Sequence, residues 1–406
     1  MTVVSVMFLF WAGLVFVPCC VLAVQVLAAL LPAKRASGKG DALRAAGDAP
    51  EVCLLMPAHN EATGIGKVLQ LLQPQLNSST RLLVVADNCT DTTAAIVRAF
   101  AVACPFVEVI ERHETQLRGK GYALDHGVRH LERNPPNVVV VVDADCELTP
   151  NCVGSLARQC ESSRQPVQAL YLMASPEGAG IKLRVAEFAW LVKNKVRPLG
   201  YHRMGLPCQL MGTGMAFTWQ QISRAQLSTG HIVEDMQLGV DLALAGTPPV
   251  FCPDTLVTSV FPASADGLAT QRTRWEHGHL GVIVSQVPSL LWRGFRDRNL
   301  ALFAMALDLC VPPLALLFLL TVSTLLACLA WVWVGGSALP VWVSLTGGAM
   351  LGLALFAAWY GFGQGVISFW QLCQVPAYAV KKIPLYFYFL AKRQSSWVRS
   401  KRDGEQ

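Results

Sequence analysis

The sequence predicts an α/β domain with a doubly wound, mostly parallel sheet, held between membrane-spanning helices. Three observations carry this expectation. Short Val-rich runs alternate with helical patterns through residues 51–142, and three long uncharged apolar stretches lie outside that region. Of the 406 residues 53% are hydrophobic and only 15% charged, which favours a membrane protein over a soluble one. Continuous apolar runs between helices are what a sheet covered on both faces requires.

Residues 3–32 are apolar without a charge, long enough to cross a hydrocarbon core about 30 Å thick as a helix. A cleaved signal peptide is the competing reading, but the stretch exceeds a usual signal core and lacks a basic leader. Residues 33–50 are small, charged and Gly-containing, which reads as a linker. Strands are then expected at 52–56, 82–86, 107–111 and 138–142, with helices at 65–76, 91–103 and 121–131 between them. Further on, 183–196 is amphipathic and 281–292 is apolar enough to lie on a bilayer surface. Apolar runs at 300–334 and 340–370, joined by Gly335, Gly336 and Ser337, supply two more spans. The segment 377–390 mixes Lys381, Lys382, aromatics and Pro384, so it is interfacial rather than a fourth span. The chain thus divides into a membrane helix (1–32), a linker (33–50), a folded domain (51–280), an interfacial segment (281–299), two membrane helices (300–370) and an interfacial segment with a basic tail (371–406).

Basic residues flank the spans: Lys34, Arg35, Lys39 and Arg44 after the first, Arg293, Arg296 and Arg298 before the second, Lys381, Lys382, Lys392 and Arg393 after the third. By the positive-inside rule the folded domain and the C-terminus are cytosolic and the loop near Gly335 is outside. This arrangement suits an integral protein of a plasma membrane, such as a bacterial inner membrane. Most of the net charge of +6 sits beside the spans, so anionic lipids rather than nucleic acid are the expected partner. The thirteen cysteines contain no CxxC pair, which indicates neither zinc nor a disulfide framework.

The polar residues that can carry chemistry fall where predicted strands end, which is where ligands gather in such sheets. VVVVVDADCE places Asp143 and Asp145 after the most apolar strand. Two carboxylates there can point the same way and share a hard divalent cation, Mg²⁺ or Mn²⁺, which in turn holds phosphate oxygens; a solvated acidic turn is the plainer alternative. PAHNEA and ADNCTD end two earlier strands, and Glu61 and Asp87 can accept hydrogen bonds from a base or ribose, with Asp91 a candidate helix cap. In RGKGYAL, Lys120 stands between two glycines at a helix start, which suits an anion. HIVEDMQLG sets Glu234 and Asp235 ahead of a helix, where capping explains them as well as catalysis does. QRTRWEHGHL contributes Gln271, Arg274 and Trp275: the guanidinium can neutralise a diphosphate and the indole offers a face to a sugar ring, although an aromatic and basic membrane anchor would look the same.

Taken in order, PAHNE, ADNCTD, GKGYAL, DAD, GTGMAF, VED and QxxRW resemble the motif series of family-two glycosyltransferases, over roughly residues 50–280 and the flanking spans. The resemblance is closest to membrane-bound members such as cellulose, hyaluronan, chitin-oligosaccharide and poly-N-acetylglucosamine synthases and ceramide glucosyltransferase. It implies a GT-A fold, Asp87 near the nucleotide base, Asp143 and Asp145 at the diphosphate and its metal, and Asp235 as catalytic base. It also implies that Gln271, Arg274 and Trp275 hold the donor diphosphate and frame the acceptor. Two departures stand out: AD replaces the commoner DD at the second strand end, and Val233 replaces the Thr of the TED motif of many polymerising members.

The expected function is inverting transfer of a sugar from a nucleotide-diphosphate donor, with UDP the favoured nucleotide, to a growing exopolysaccharide or membrane-bound oligosaccharide, with an export apparatus as a partner for a polymer. Single-sugar transfer to a lipid is the alternative within enzymes; a catalytically silent scaffold is the alternative outside them. Transport is disfavoured because Asp308 is the lone acidic group in the apolar runs and no inverted repeat is present.

Overall fold

The computed structural model describes residues 2–32, 50–114, 116–262 and 265–391. The predicted linker, apart from Pro50, and the basic tail from 392 onward lie outside the described residues. The first helix, α1 (Val3–Leu30), precedes a mixed sheet of eight strands in the order β3-β2-β1-β4-β7-β6-β8-β5. Strands β1 (Val52–Ala58), β2 (Thr80–Asp87), β3 (Val107–Arg112) and β4 (Val138–Val141) run parallel to one another. Of the others, β5 (Glu147–Leu148) pairs antiparallel with β8 (Val250–Val260), β7 (Met215–Thr218) is antiparallel to β4 and to β6 (Val167–Ala174), and β6 and β8 are parallel.

Strand periodicity divides the core into two layers. Leu54, Met56, Leu82, Val84, Val138 and Val140 pack under α2 (Ile65–Leu72), α3 (Thr93–Ala103) and α5 (Cys152–Ser163). Their neighbours Cys53, Leu55, Leu83, Val85, Val139 and Val141 pack on the opposite face under α4 (Lys120–Leu131) and α7 (Glu234–Leu244). Adjacent residues are thus both buried, because side chains alternate across a sheet covered on both sides. Each fully buried Leu or Val contributes about 1.5–3 kcal/mol. The helix predicted over 65–76 stops at Leu72 and tightens into a 3₁₀ turn, Gln73–Gln75, where Pro74 withholds the next backbone donor.

Helices long and apolar enough to cross a membrane are α1, α10 (Leu314–Trp333) and the stretch Leu339–Gly363 that contains α11 (Leu339–Ala358). Polar pairs join them: Trp11 Nε1 donates to Thr324 Oγ1 at 3.0 Å, and Cys19 Sγ lies 3.6 Å from Thr321 Oγ1. The apolar run 300–334 is divided in the structure. Its first part, α9 (Leu300–Leu309), ends before Pro312 and Pro313 and packs on α8 (Ala265–Arg296) and α7.

The domain is seated on α1 by a buried polar network. Between them, α6 (Ile181–Leu191) continues through a π turn, Val192–Val196, into the helix Arg197–Arg203. Asp308 accepts hydrogen bonds from Arg197 Nη2 (2.8 Å), Gln25 Nε2 (2.6 Å) and Gln209 Nε2 (2.6 Å), while Arg197 Nε donates to Gln25 Oε1 at 3.1 Å. Arg203 also donates to the carbonyls of Ala29 and Leu31, satisfying acceptors that the end of α1 leaves open. Near the C-terminus, the short helices Val375–Val380 and Ile383–Ala391 lie against α8.

Candidate active site

A cavity of about 760 Å³ opens beyond the C-terminal ends of β1, β2 and β4, lined by the residues that follow those strands. At the end of β2, Asp87 is buried and ion-paired with Arg112 at 2.6 Å, and it also accepts from Asn88 Nδ2 at 2.9 Å. Glu61 is buried on the same rim. Its loop is fastened to the start of α3: Thr93 Oγ1 accepts from the Glu61 N–H at 2.7 Å, and Asp91 accepts from Ala62 N and Thr93 N at 3.0 Å each and from Thr93 Oγ1 at 2.6 Å. Asp91 is therefore a fastening residue, whereas Glu61 and Asp87 line the cavity together with His59, Thr63 and Asn88.

After β4, Asp143 and Asp145 come together with Cys146, their ligand atoms lying within 4.8 Å of one another. Burial in the cleft and then the negative charge of Asp143 push the Asp145 carboxyl up to about 6, although its surface is open to the cavity. Crowded carboxylates of this kind bind hard cations well, because a cation removes the repulsion. Burial holds the Cys146 thiol far above its ordinary range, so it stays protonated and does not compete as a soft ligand. The donor set fits Mg²⁺ or Mn²⁺ held by two carboxylates and completed by ligand or water oxygens.

Lys120 lines the cavity, and its ammonium is also ion-paired with Asp143 and donates to the Gly212 carbonyl at 2.7 Å. It thereby links the β4 carboxylates to the GTG loop. Gly212 has a φ of +92°, and a Cβ there would lie 3.3 Å from Asp235 Oδ2 and 3.7 Å from Lys120 Nζ, so the backbone conformation and the close carboxylate both call for glycine. Buried Gln168 fixes the loop, accepting from Met211 N at 2.8 Å and donating to Thr213 O at 2.9 Å.

Asp235, in the first turn of α7, turns its Oδ2 toward Gly212 and Lys120, while its Oδ1 accepts from Met236 N at 2.8 Å. Burial raises its carboxyl above the usual range; burial followed by the charge of Asp235 pushes Glu234 up to about 7. Both line the cavity.

Gln271, Arg274 and Trp275 lie on α8 and line the same cavity. Gln271 Oε1 and Arg274 Nε are buried without a hydrogen-bond partner among the described residues, as expected of groups awaiting a ligand. Trp275 packs against Trp190 with ring centres 4.7 Å apart and planes tilted by 39°, and Trp190 meets Tyr171 and Phe261 edge to face. The far side of the same helix turn is held by the C-terminal segment: Lys382 is ion-paired with Glu276, and the Tyr378 ring sits 5.7 Å from Arg272 and 5.4 Å from Lys382.

The family model for glycosyltransferase like family 2 matches residues 50–278, more than half of the chain. The chain belongs to this family. Among curated relatives it is 26% identical over 261 residues to probable glucomannan 4-beta-mannosyltransferase 15 of Arabidopsis thaliana, covering 58% of this chain and 45% of that one. It is 34% identical over 101 residues to the beta-monoglucosyldiacylglycerol synthase of a Synechocystis strain, covering 24% of this chain and 20% of that one. The chain thus spans less than half the length of these relatives. The solved structure of the mannosyltransferase PcManGT from Pyrobaculum calidifontis, in complex with GDP-Man and Mn²⁺, superimposes with a TM-score of 0.55 at 17% identity, covering 94% of this chain and all of that one. The family-two domain has the GT-A fold.

In this family-two chain, the sequence reading missed Arg112 as the partner of Asp87, Tyr171 and Phe261 as neighbours of Trp190, and Lys193 with Asn194. Tyr171 and Phe261 belong to or follow β6 and β8, strands with no clear local signal, and their meeting with Trp190 depends on the sheet order.

Proposed function

We propose that this family-two protein transfers a sugar, with inversion, from a nucleotide-diphosphate donor to a growing exopolysaccharide or membrane-bound oligosaccharide. The observation that carries the reading is the convergence of Asp235, Lys120 and Asp143 around Gly212, in one cavity with Arg274 and Trp275. In this arrangement Asp235 takes the proton of the acceptor hydroxyl as its oxygen bonds to the anomeric carbon. The bond from that carbon to the diphosphate breaks, and the departing charge falls beside Arg274 and Gln271. Asp143 and Asp145 would hold a divalent cation, which when bound offsets diphosphate charge. Lys120 keeps Asp143 in place, and Asp87 and Glu61 face the base and ribose. PcManGT, which shares the fold, is in complex with GDP-Man and Mn²⁺, which supports a nucleotide-diphosphate donor and a divalent cation in this reading.

The folded domain is placed on the cytosolic side, where nucleotide sugars are made, in agreement with the basic flanks of the spans. Similarity to a diacylglycerol glucosyltransferase favours a second reading in which the acceptor is a lipid. The test is transfer from labelled nucleotide sugars by purified membranes, with and without chelator. Asp235→Asn should lower turnover about 10²- to 10⁴-fold while donor affinity is retained. Full turnover in that variant, or in excess chelator, contradicts the mechanism.

A further inference from the structure

Three polar groups on one helical segment face the cavity and find no use in the mechanism above. Trp190, Lys193 and Asn194 all line it. Asn194 is fully buried; its Nδ2 donates to Tyr171 O at 3.3 Å, but its Oδ1 has no partner among the described residues. Trp190 Nε1 is likewise buried without an acceptor. Lys193 has no carboxylate within 4.0 Å among the described residues, and its ammonium lies 5.6 Å from the Trp190 ring centre. Buried polar groups are ordinarily satisfied, so two such atoms, on Trp190 and Asn194, beside a partly buried ammonium mark a place for a ligand.

The backbone explains their placement. Lys193 and Asn194 lie in the π turn Val192–Val196, whose extra residue rotates the following side chains by about 100° relative to a continuous α-helix. The same segment sends Leu191, Val192 and Val196 into the apolar cluster formed with Cys19, Leu22, Val26, Leu317 and Leu351 of the membrane helices. The polar trio therefore stands on the wall of the cavity nearest the apolar helices.

We propose that Trp190, Lys193 and Asn194 form an acceptor subsite whose ligand is a sugar ring, so that the enzyme extends a saccharide rather than glycosylating a simple lipid alcohol. This rests on the transferase reading. The attacking oxygen must sit at Asp235, so these three groups are left for other atoms of the same acceptor. They comprise two donors, the ammonium and the indole N–H, and one acceptor, the amide oxygen. A lipid with one hydroxyl cannot serve them as well as Asp235, whereas neighbouring hydroxyls of a sugar both donate and accept. The aromatic walls of Trp190 and Trp275 suit the apolar face of such a ring.

The test uses the full-length protein in lipid nanodiscs, with labelled UDP-glucose or GDP-mannose as donor and either cello- or manno-tetraose or diacylglycerol as acceptor. Lys193→Met and Trp190→Phe, which keeps a ring in the aromatic cluster, should each raise the KM for the tetraose about 10- to 100-fold and leave the donor KM unchanged. Lys193→Arg should recover part of that loss. The proposal is overturned if the donor KM rises instead, or if diacylglycerol is the preferred acceptor and its KM is the same in wild type and variants. If the wild-type protein binds no nucleotide sugar by calorimetry, the transferase reading itself falls, and the subsite with it.

Discussion

Replacing Asp308 by alanine tests how the domain is held on its first membrane helix. The Asp308 carboxylate receives three short hydrogen bonds, from Gln25, Arg197 and Gln209, and the side chains of Arg197 and Asp308 are 4% and 10% exposed. Removing it leaves the Arg197 charge in a dry site, where breaking such a pair costs about 3–5 kcal/mol. At the scaling for a domain of roughly 200 residues, that corresponds to a Tm lower by about 6–20 °C. The double change Arg197→Met with Asp308→Ala removes both charges and should be less damaging than either single change, because neither charge is then stranded. Thermal unfolding of the detergent-solubilised protein, followed in all four combinations, gives the coupling. An Asp308→Ala protein within about 0.5 kcal/mol of wild type would refute the reasoning, since that is the range of an ordinary surface change.

Asp145→Asn should weaken Mn²⁺ binding, read by calorimetry on the nucleotide-loaded protein, and lower turnover by orders of magnitude; equal Mn²⁺ affinity would remove Asp145 from the cation site. Arg274→Lys keeps the charge but loses the planar fork, so the donor KM should rise, and an unchanged value would return Arg274 to a membrane-anchor role. Glu276→Gln breaks the contact with Lys382 on the reverse side of the Trp275 helix turn, and it should lower kcat with little effect on nucleotide affinity, while the charge swap Glu276→Lys with Lys382→Glu should restore part of the rate. The fourth expectation concerns pH: Glu234 is pushed up to about 7 from an ordinary value near 4.5, so between those values the folded metal-free protein binds a proton that the unfolded chain does not. Stability should therefore fall as pH rises through that window, and Glu234→Gln should gain on wild type by pH 7; a constant difference between the two melting curves would contradict this.

Much of the architecture is legible in the sequence because its cause is local. The apolar runs at β1, β2 and β4 specify strands buried on both faces whatever surrounds them, and the uncharged length of α1 makes it long and apolar enough to cross a membrane by composition alone. The order of the acidic and QxxRW motifs likewise marked the residues that line the cavity: Glu61, Asp87, Asp143, Asp145, Asp235, Gln271, Arg274 and Trp275 all do so. Other features depend on residues far apart in the chain. Strand β7 is four residues long, and β8 carries Pro253 within a register shift, so neither announces itself before β4 and β6 provide partners. Lys120 reads as an anion site from its glycines, and only the fold shows that its ammonium also pairs with Asp143 and reaches the carbonyl of Gly212, 92 residues on. The break of the 300–334 run follows from Pro312 and Pro313, but the seating of α9 against the domain follows from Asp308 meeting Gln25, Arg197 and Gln209. Period, length and charge are properties of a short stretch and survive in the sequence, whereas the partner of a buried charge is chosen by packing and exists only once the chain has folded.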